Sequence, residues 1–202
     1  MAIKTLKHVD PFDSPAEREG AGVFGMWIFL LVVGMLFVAC ILGYLVVRLD
    51  RPPGQEWTTP QTPPLPHALL LSTGLLLASS WTMQVALRAA RTGQPLLVRH
   101  AMGATLALAV LFLGVQVLAW GELWRANASI GSSLYAWTFY VLSGTHALHV
   151  LGGLVPMAVV FRRSLQDRYT PASHAGLLYC AMYWHALDAI WIALYATLWL
   201  GS

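Results

Sequence analysis

The sequence predicts an all-α fold, an integral membrane bundle of five transmembrane helices. Of its 202 residues, 57% are hydrophobic and only 10% are charged, whereas a soluble domain carries about 25% charged residues. The charged residues are also unevenly spaced, and they leave five gaps that each exceed the roughly 20 residues a helix needs to cross a bilayer. These gaps lack the short alternating pattern that is typical of a transmembrane β-barrel.

Each predicted helix occupies one of these gaps. No Asp, Glu, Lys or Arg occurs between positions 19 and 48, 56 and 88, 99 and 122, or 125 and 162, and after Arg168 only Asp188 is charged. The predicted spans are 22–47, 67–89, 100–120, 134–161 and 173–199. We accordingly divide the chain into an N-terminal tail, 1–21, and one five-helix transmembrane domain, 22–202.

Local signals mark several helix ends. Ser14 followed by Pro15 and Glu17 has the pattern of a capped helix start, which predicts a short interfacial helix in the tail. The segment 51–66 contains six of the eleven prolines, and because proline resists helix it predicts an extended loop before the second helix begins at or just after Pro66. Ser173 is the expected N-cap of the fifth helix.

The basic residues predict the orientation of the chain. Nine of the twelve lie in the tail and in the second and fourth connections, and three lie on the opposite side. Because basic residues are more frequent on the cytoplasmic side, the N-terminus is expected in the cytoplasm and the C-terminus in the periplasm. The net charge is only +3 and its basic residues are scattered, so no nucleic-acid partner is indicated.

Polar residues inside the fourth and fifth spans are the candidate functional residues. Asp188 is the only charged side chain well inside a span, and a carboxylate in hydrocarbon costs at least a few kcal/mol, so it should face a partner. His185 lies three residues earlier, on the same helix face. The pair His146 and His149 lies at a similar depth, and His146 and Asp188 are roughly 16–18 Å from the outer interface. Antiparallel packing of these two helices would bring both pairs together.

From the residues alone, four interpretations of this cluster remain open. They are a hydrogen-bonded clasp between helices or toward a partner subunit, a metal site, a haem bound by two histidines, and a proton or ion path. The chain contains no glycine-rich phosphate loop, no Ser-His-Asp order and no CxxC motif. An accessory or scaffold subunit without a catalytic residue of its own is therefore favoured.

Two segments carry a resemblance to a known family. Gly144-Thr-His146-Ala-Leu-His149-Val150-Leu-Gly-Gly153 resembles the G-x-H-x-x-H-V-x-x-G stretch of cytochrome c oxidase subunit III. Tyr183-Trp184-His185-x-x-Asp188-x-x-Trp191 resembles the Y-W-H-x-x-D-x-x-W segment of the same family. The segments occur in the family's order, and the likeness extends over roughly 22–200. Five helices correspond to the short bacterial form of the family.

The resemblance implies a non-catalytic subunit of a haem–copper terminal oxidase in the bacterial inner membrane, within a complex that couples oxygen reduction to proton translocation. It implies subunits I and II as partners, which would hold the haem and copper, and bound structural phospholipid, with no metal or cofactor in this chain. It also favours the clasp interpretation. The implied clasp residues are His146, His149, Trp184, His185, Asp188 and Trp191.

The chain departs from the family pattern at three intramembrane acids. Where the family usually has acidic residues, this sequence has Val33, Ala119 and Leu178, so roles that depend on those acids are not expected here. A divergent branch would fit this pattern. Two alternatives follow: an accessory subunit of a nitric oxide reductase, or a stand-alone membrane metalloprotein or transporter that uses the histidines and Asp188.

Overall fold

The computed structural model describes residues 14–50, 57, 63–131 and 133–201. In this part of the chain there are five helices, and each is long and apolar enough to cross a membrane, so the predicted fold class is confirmed. The only strand-like pairing within these residues is an isolated bridge between Thr170 and Ser173. The helices are α1 (Pro15–Leu49), α2 (Ala68–Arg91), α3 (Pro95–Arg125), α4 (Leu134–Leu165) and α5 (Ala175–Gly201).

Several helices extend beyond the apolar spans that predicted them. α3 begins at Pro95 and ends at Arg125, although its predicted span was 100–120. Hydropathy locates the part of a helix that is in the bilayer, whereas the helix itself ends where backbone geometry stops it. After α3 and α4 this stop is a residue with positive φ, Asn127 at 60° and Asp167 at 51°, which is a common way to end a helix.

The first helix differs from the prediction in continuity. Ser14 and Glu17 form the expected capping box, with the Ser14 hydroxyl accepting from the Glu17 backbone N–H and the Glu17 carboxylate accepting from the Ser14 N–H. The helix that starts there continues without a break to Leu49, so the predicted interfacial helix and the first span are one element. Most of the proline-rich segment 51–66 lies outside the described residues.

The start of α5 also differs from the prediction. Ser173 does not cap this helix, because its backbone N–H and C=O pair with Thr170. The carbonyl of His174 instead accepts the first helical hydrogen bonds, from Leu177 and Leu178. The prediction was wrong because Ser173 is engaged by the preceding turn.

Four of the helices form a closed ring. α2 contacts α3 and α5, and α4 contacts α3 and α5, while α1 lies outside the ring against α5 and α4. Large buried side chains such as Phe112, Phe139 and Trp184 fill the interior. This is the arrangement of an antiparallel four-helix bundle, and it places the inward face of α5 against both α2 and α4.

Two glycines set the register between α1 and α5. A Cβ at Gly22 would overlap the Tyr179 hydroxyl, and a Cβ at Gly201 would overlap the Tyr44 hydroxyl. The two pairs have the same sequence offset, so α1 and α5 run side by side without slipping. Between these contacts the helices leave an apolar groove of about 1040 Å³. Its lining includes Leu31, Gly34 and Val38 of α1 and Ala186, Ala189 and Ala193 of α5.

Candidate functional site

The α2 face that meets α5 is polar. It presents Thr73, Ser79, Ser80 and Gln84 in a span that is otherwise mostly apolar. Thr73 and Ser79 donate their hydroxyl hydrogens to carbonyls of their own helix, those of Leu69 and Leu76. Since a hydroxyl oxygen can also accept, each of these two side chains keeps lone pairs that face the neighbouring helix.

Two tryptophans of α5 use these acceptors. Trp184 donates its indole N–H to Ser79 Oγ at 2.9 Å, and Trp191 donates to Thr73 Oγ1 at 3.0 Å. The two tryptophans are about two helical turns apart, so the hydrogen bonds hold α5 to α2 at two levels. Both indoles are buried, and an indole N–H buried in this way needs a partner.

His185 forms a third link to α2. Its Nδ1 lies 2.7 Å from Ser80 Oγ, and its Nε2 lies 3.2 Å from Gln84 Oε1. Because the amide oxygen of Gln84 can only accept, Nε2 carries the ring hydrogen and Nδ1 accepts from the Ser80 hydroxyl. Both nitrogens of the imidazole are therefore used within the chain.

Asp188 lies beside this imidazole. Its Oδ2 is 3.9 Å from His185 Nδ1, which is too far for a hydrogen bond. The residue is only 4% exposed, and neither carboxyl oxygen has a hydrogen-bond partner within the described residues. The nearest ionisable partner of this buried carboxyl group is thus the one that the sequence predicted, His185.

The α4 histidines are placed by ring packing and by local hydrogen bonds. His146 is fully buried, with its ring centroid 4.9 Å from that of Trp191 and 5.9 Å from that of Phe112. Within the described chain neither of its nitrogens has a hydrogen-bond partner. His149 directs Nδ1 to the Thr145 carbonyl at 2.8 Å, and its own carbonyl accepts from the Tyr183 hydroxyl at 3.0 Å.

The six predicted site residues therefore do not form one cluster. Trp184, His185 and Trp191 make their side-chain hydrogen bonds to α2, whereas His146 meets α5 through its ring contact with Trp191. Across residues 14–50, 57, 63–131 and 133–201, no three His, Cys, Asp or Glu side chains come together in a group that could hold a metal ion.

Sequence analysis missed the α2 partners of these residues. The available signal was their helical spacing, because positions 73, 80 and 84 repeat at intervals of seven and four and so share one face. Hydroxyl and amide side chains on one face of an apolar span indicate hydrogen bonds to a neighbouring helix. The sequence did not indicate which helix that would be.

Apolar side chains occupy all three positions where the resemblance leads one to expect acids. Val33 and Ala119 are both buried, and Leu178 is partly buried. Acids there would be enclosed by protein at membrane depth, where a charge is costly. The apolar residues fit their surroundings.

These features define the class of protein, which is a five-span α-helical membrane protein whose buried polar side chains connect its helices. The sequence matches the family described as cytochrome c oxidase subunit III over residues 15–202, and the chain belongs to this family. The family supplies a subunit to a haem–copper oxidase, an oxidoreductase complex of the membrane.

Individual relatives agree with this assignment. A probable cytochrome c oxidase subunit 3 of Nocardia farcinica (strain IFM 10152) is 32% identical over 81% of this chain and 80% of its own length. Cytochrome c oxidase subunit 3 of Gallus gallus is 32% identical over 94% of this chain and 73% of its own. The protein of that name from Synechocystis is 31% identical over 93% and 81%. The nitric oxide reductase, metalloprotein and transporter alternatives receive no support.

Proposed function

We infer that this chain is a non-catalytic subunit of a bacterial haem–copper terminal oxidase. It stabilises subunit I, and its partner subunits I and II hold the haem and copper. It resides in the inner membrane with its N-terminus in the cytoplasm, the orientation that the nine-to-three distribution of basic residues favours.

The observation that carries this proposal is that the polar side chains of α5 form hydrogen bonds to α2. The nitrogens of His185, Trp184 and Trp191 are all engaged by α2 side chains, so these groups serve helix–helix contact. Interhelical hydrogen bonds of this kind contribute about 0.6–2 kcal/mol each in membranes. Trp184, His185 and Trp191 act as a structural clasp between α5 and α2, and His146 of α4 packs against Trp191.

Bound phospholipid is the second part of the proposal. The groove between α1 and α5 is apolar, open toward the bilayer and about 1040 Å³ in volume, which is enough to accommodate part of an acyl chain. An acyl chain would cover the apolar lining that α1 and α5 leave open. The groove therefore supports a lipid that is held by shape and dispersion contacts.

Purification from native membranes in a mild detergent tests the proposal. We expect the chain to copurify with subunits I and II, identified by mass spectrometry, and the visible spectrum of the complex to show haem. The isolated chain should contain no stoichiometric iron, copper or zinc by elemental analysis. Recovery of the chain without oxidase subunits, or with bound metal of its own, would contradict it.

Asp188→Ala tests the clasp within the same complex. Removal of the carboxyl group takes away the ionisable partner of His185, so we expect weaker retention of this chain on subunit I. Asp167→Ala is the matched control, because Asp167 is exposed and its ion pair with Arg99 is of a kind that contributes little. Equal subunit stoichiometry in wild type and Asp188→Ala would argue against the role.

A further inference from the structure

The bilayer-facing side of α2 and α5 carries polar and aromatic groups at the depth where a membrane is driest. Ser79 lies at the middle of α2, 11 residues after Ala68 and 12 before Arg91, which is about 16–18 Å from either end. Around this level lie four residues that we call the α2–α5 seam. They are Ser80, Trp81, Gln84 and His185.

Gln84 leaves hydrogen-bond donors at this surface. Its Oε1 is bound to His185, but its amide N–H₂ has no partner among the described residues, and the side chain is partly exposed. His185 beside it is 37% exposed. Hydrocarbon cannot accept a hydrogen bond, so an unsatisfied donor at this depth is energetically unfavourable. An acyl chain is thus a poor cover for the seam.

The exposed tryptophan of the seam supports the same conclusion. Trp81 is 68% exposed, although tryptophan in membrane proteins prefers the two interfaces to the bilayer centre. An exposed indole thus lies near mid-membrane at the level of Ser79, and tryptophan is enriched at the centres of protein–protein interfaces.

The outward face of α3 shows what a lipid-facing surface of this chain looks like. At its midpoint the exposed large side chains are Val110 and Leu111, followed by Val117 and Leu118. All four are aliphatic. The seam differs from this face in having both hydrogen-bond donors and a large aromatic ring.

The geometry points to the α2–α5 seam as the docking surface for a transmembrane helix of a partner oxidase subunit. That helix presents an acceptor, a carboxyl, amide or hydroxyl oxygen, to the N–H₂ of Gln84, and packs apolar side chains on Trp81. This inference rests on the proposed function and adds to it the face of the chain that meets the partner and the chemistry of the contact.

Site-specific photo-crosslinking in native membranes tests the face. A benzophenone amino acid replaces Trp81 in one variant and Leu111 of α3 in the other, and the haem-containing complex is purified after irradiation. We expect the Trp81 variant to crosslink to an oxidase subunit, identified by mass spectrometry, and the Leu111 variant to give no protein crosslink. Crosslinks only to lipid or to a second copy of this chain at position 81, or to an oxidase subunit only at position 111, would overturn the inference.

Trp81→Leu tests the contact without disturbing the clasp. We expect at least a threefold lower ratio of this chain to haem after detergent purification, while the isolated chain unfolds at the wild-type temperature. Trp124→Leu, an equally exposed tryptophan near the end of α3, should change neither value. A wild-type ratio for Trp81→Leu would exclude the seam, whereas a wild-type chain that never copurifies with haem would refute the proposed function itself.

Discussion

The indole N–H of Trp184 donates a 2.9 Å hydrogen bond to Ser79 Oγ, and both side chains are buried between α5 and α2. The same hydroxyl donates to the Leu76 carbonyl at 2.7 Å. The Ser79 hydroxyl thus accepts a hydrogen bond from a tryptophan of α5 and donates its own hydrogen to a carbonyl of α2. Rotation of either helix would break the contact, so this pair fixes the facing sides of α2 and α5.

Ser79→Ala should destabilise the bundle by about 1–3 kcal/mol, because it leaves the buried indole N–H without an acceptor. The measurement is thermal or denaturant unfolding of the purified chain in detergent. Thr197→Ala is the control, since Thr197 bonds only to the Ala193 carbonyl of its own helix and its loss should cost much less.

A double-mutant cycle with Trp184→Phe isolates the hydrogen bond. Phenylalanine removes the donor, so the cost of Ser79→Ala should be smaller in that background, with a coupling of about 0.6–2 kcal/mol. Additive effects of the two substitutions would mean that this hydrogen bond contributes nothing measurable.

Alanine substitution of two adjacent glycines of α4 should change the stability of the bundle in opposite directions. A Cβ at Gly153 would lie 2.7 Å from Cε1 of Tyr183, whereas a Cβ at Gly152 would meet nothing within 4 Å. The Tyr183 ring cannot easily move away, because its hydroxyl is bound to the His149 carbonyl. We expect Gly153→Ala to cost about 1–3 kcal/mol by overpacking, and Gly152→Ala to gain up to about 1 kcal/mol from helix propensity.

Unfolding curves of the two alanine variants, measured under identical conditions, test this predicted difference in stability. The difference between them is the informative quantity, since both substitutions add one methyl group to the same helix turn. Equal stability of Gly153→Ala and Gly152→Ala would show that Tyr183 yields at little cost.

The fold could be predicted because bilayer thickness constrains it directly. Five stretches long enough to span hydrocarbon, with Asp188 as the only charge well inside them, leave little choice other than five helices, and the described residues contain five such helices. Helix ends were less predictable, since the apolar pattern stops at the membrane surface while α3 and α4 continue beyond it. Ser173 shows a second limit, because the preceding turn engages a residue whose type alone suggested a cap.

The site was predictable only in part. Asp188 and its neighbour His185 were identified by the cost of a charge in hydrocarbon, and the structure places them 3.9 Å apart. The partners of His185 could not be inferred, because hydropathy does not indicate which helices are neighbours in a ring. Their similar depth in the membrane suggested that the α4 and α5 residues meet. In the structure α2 is also a neighbour of α5, and His185 forms its hydrogen bonds to α2.

Filling the α1–α5 groove should displace lipid. Gly34 lies in the groove lining, and a Cβ there would meet nothing within 4 Å, so Gly34→Leu can occupy the groove without a backbone clash. We expect native mass spectrometry to show less bound phospholipid than in wild type. Gly114→Leu, at an equally open glycine on α3, should retain the wild-type amount. Unchanged lipid content in Gly34→Leu would remove the groove as a lipid site.

Tyr169→Phe should change how stability depends on alkaline pH. Tyr169 lies in the connection between α4 and α5 and is buried, with no hydrogen-bond partner for its hydroxyl among the described residues. Burial raises the pKa of Tyr169 above its usual value, and the nearby Arg163 opposes this only in part. The unfolded state therefore loses the phenolic proton first as the pH rises above about 10, and the wild type loses stability there.

Phenylalanine cannot ionise, so the unfolding free energy of the variant should match the wild type at neutral pH within about 1 kcal/mol and fall less steeply at alkaline pH. Parallel curves of unfolding free energy against pH for the two proteins would contradict this assignment.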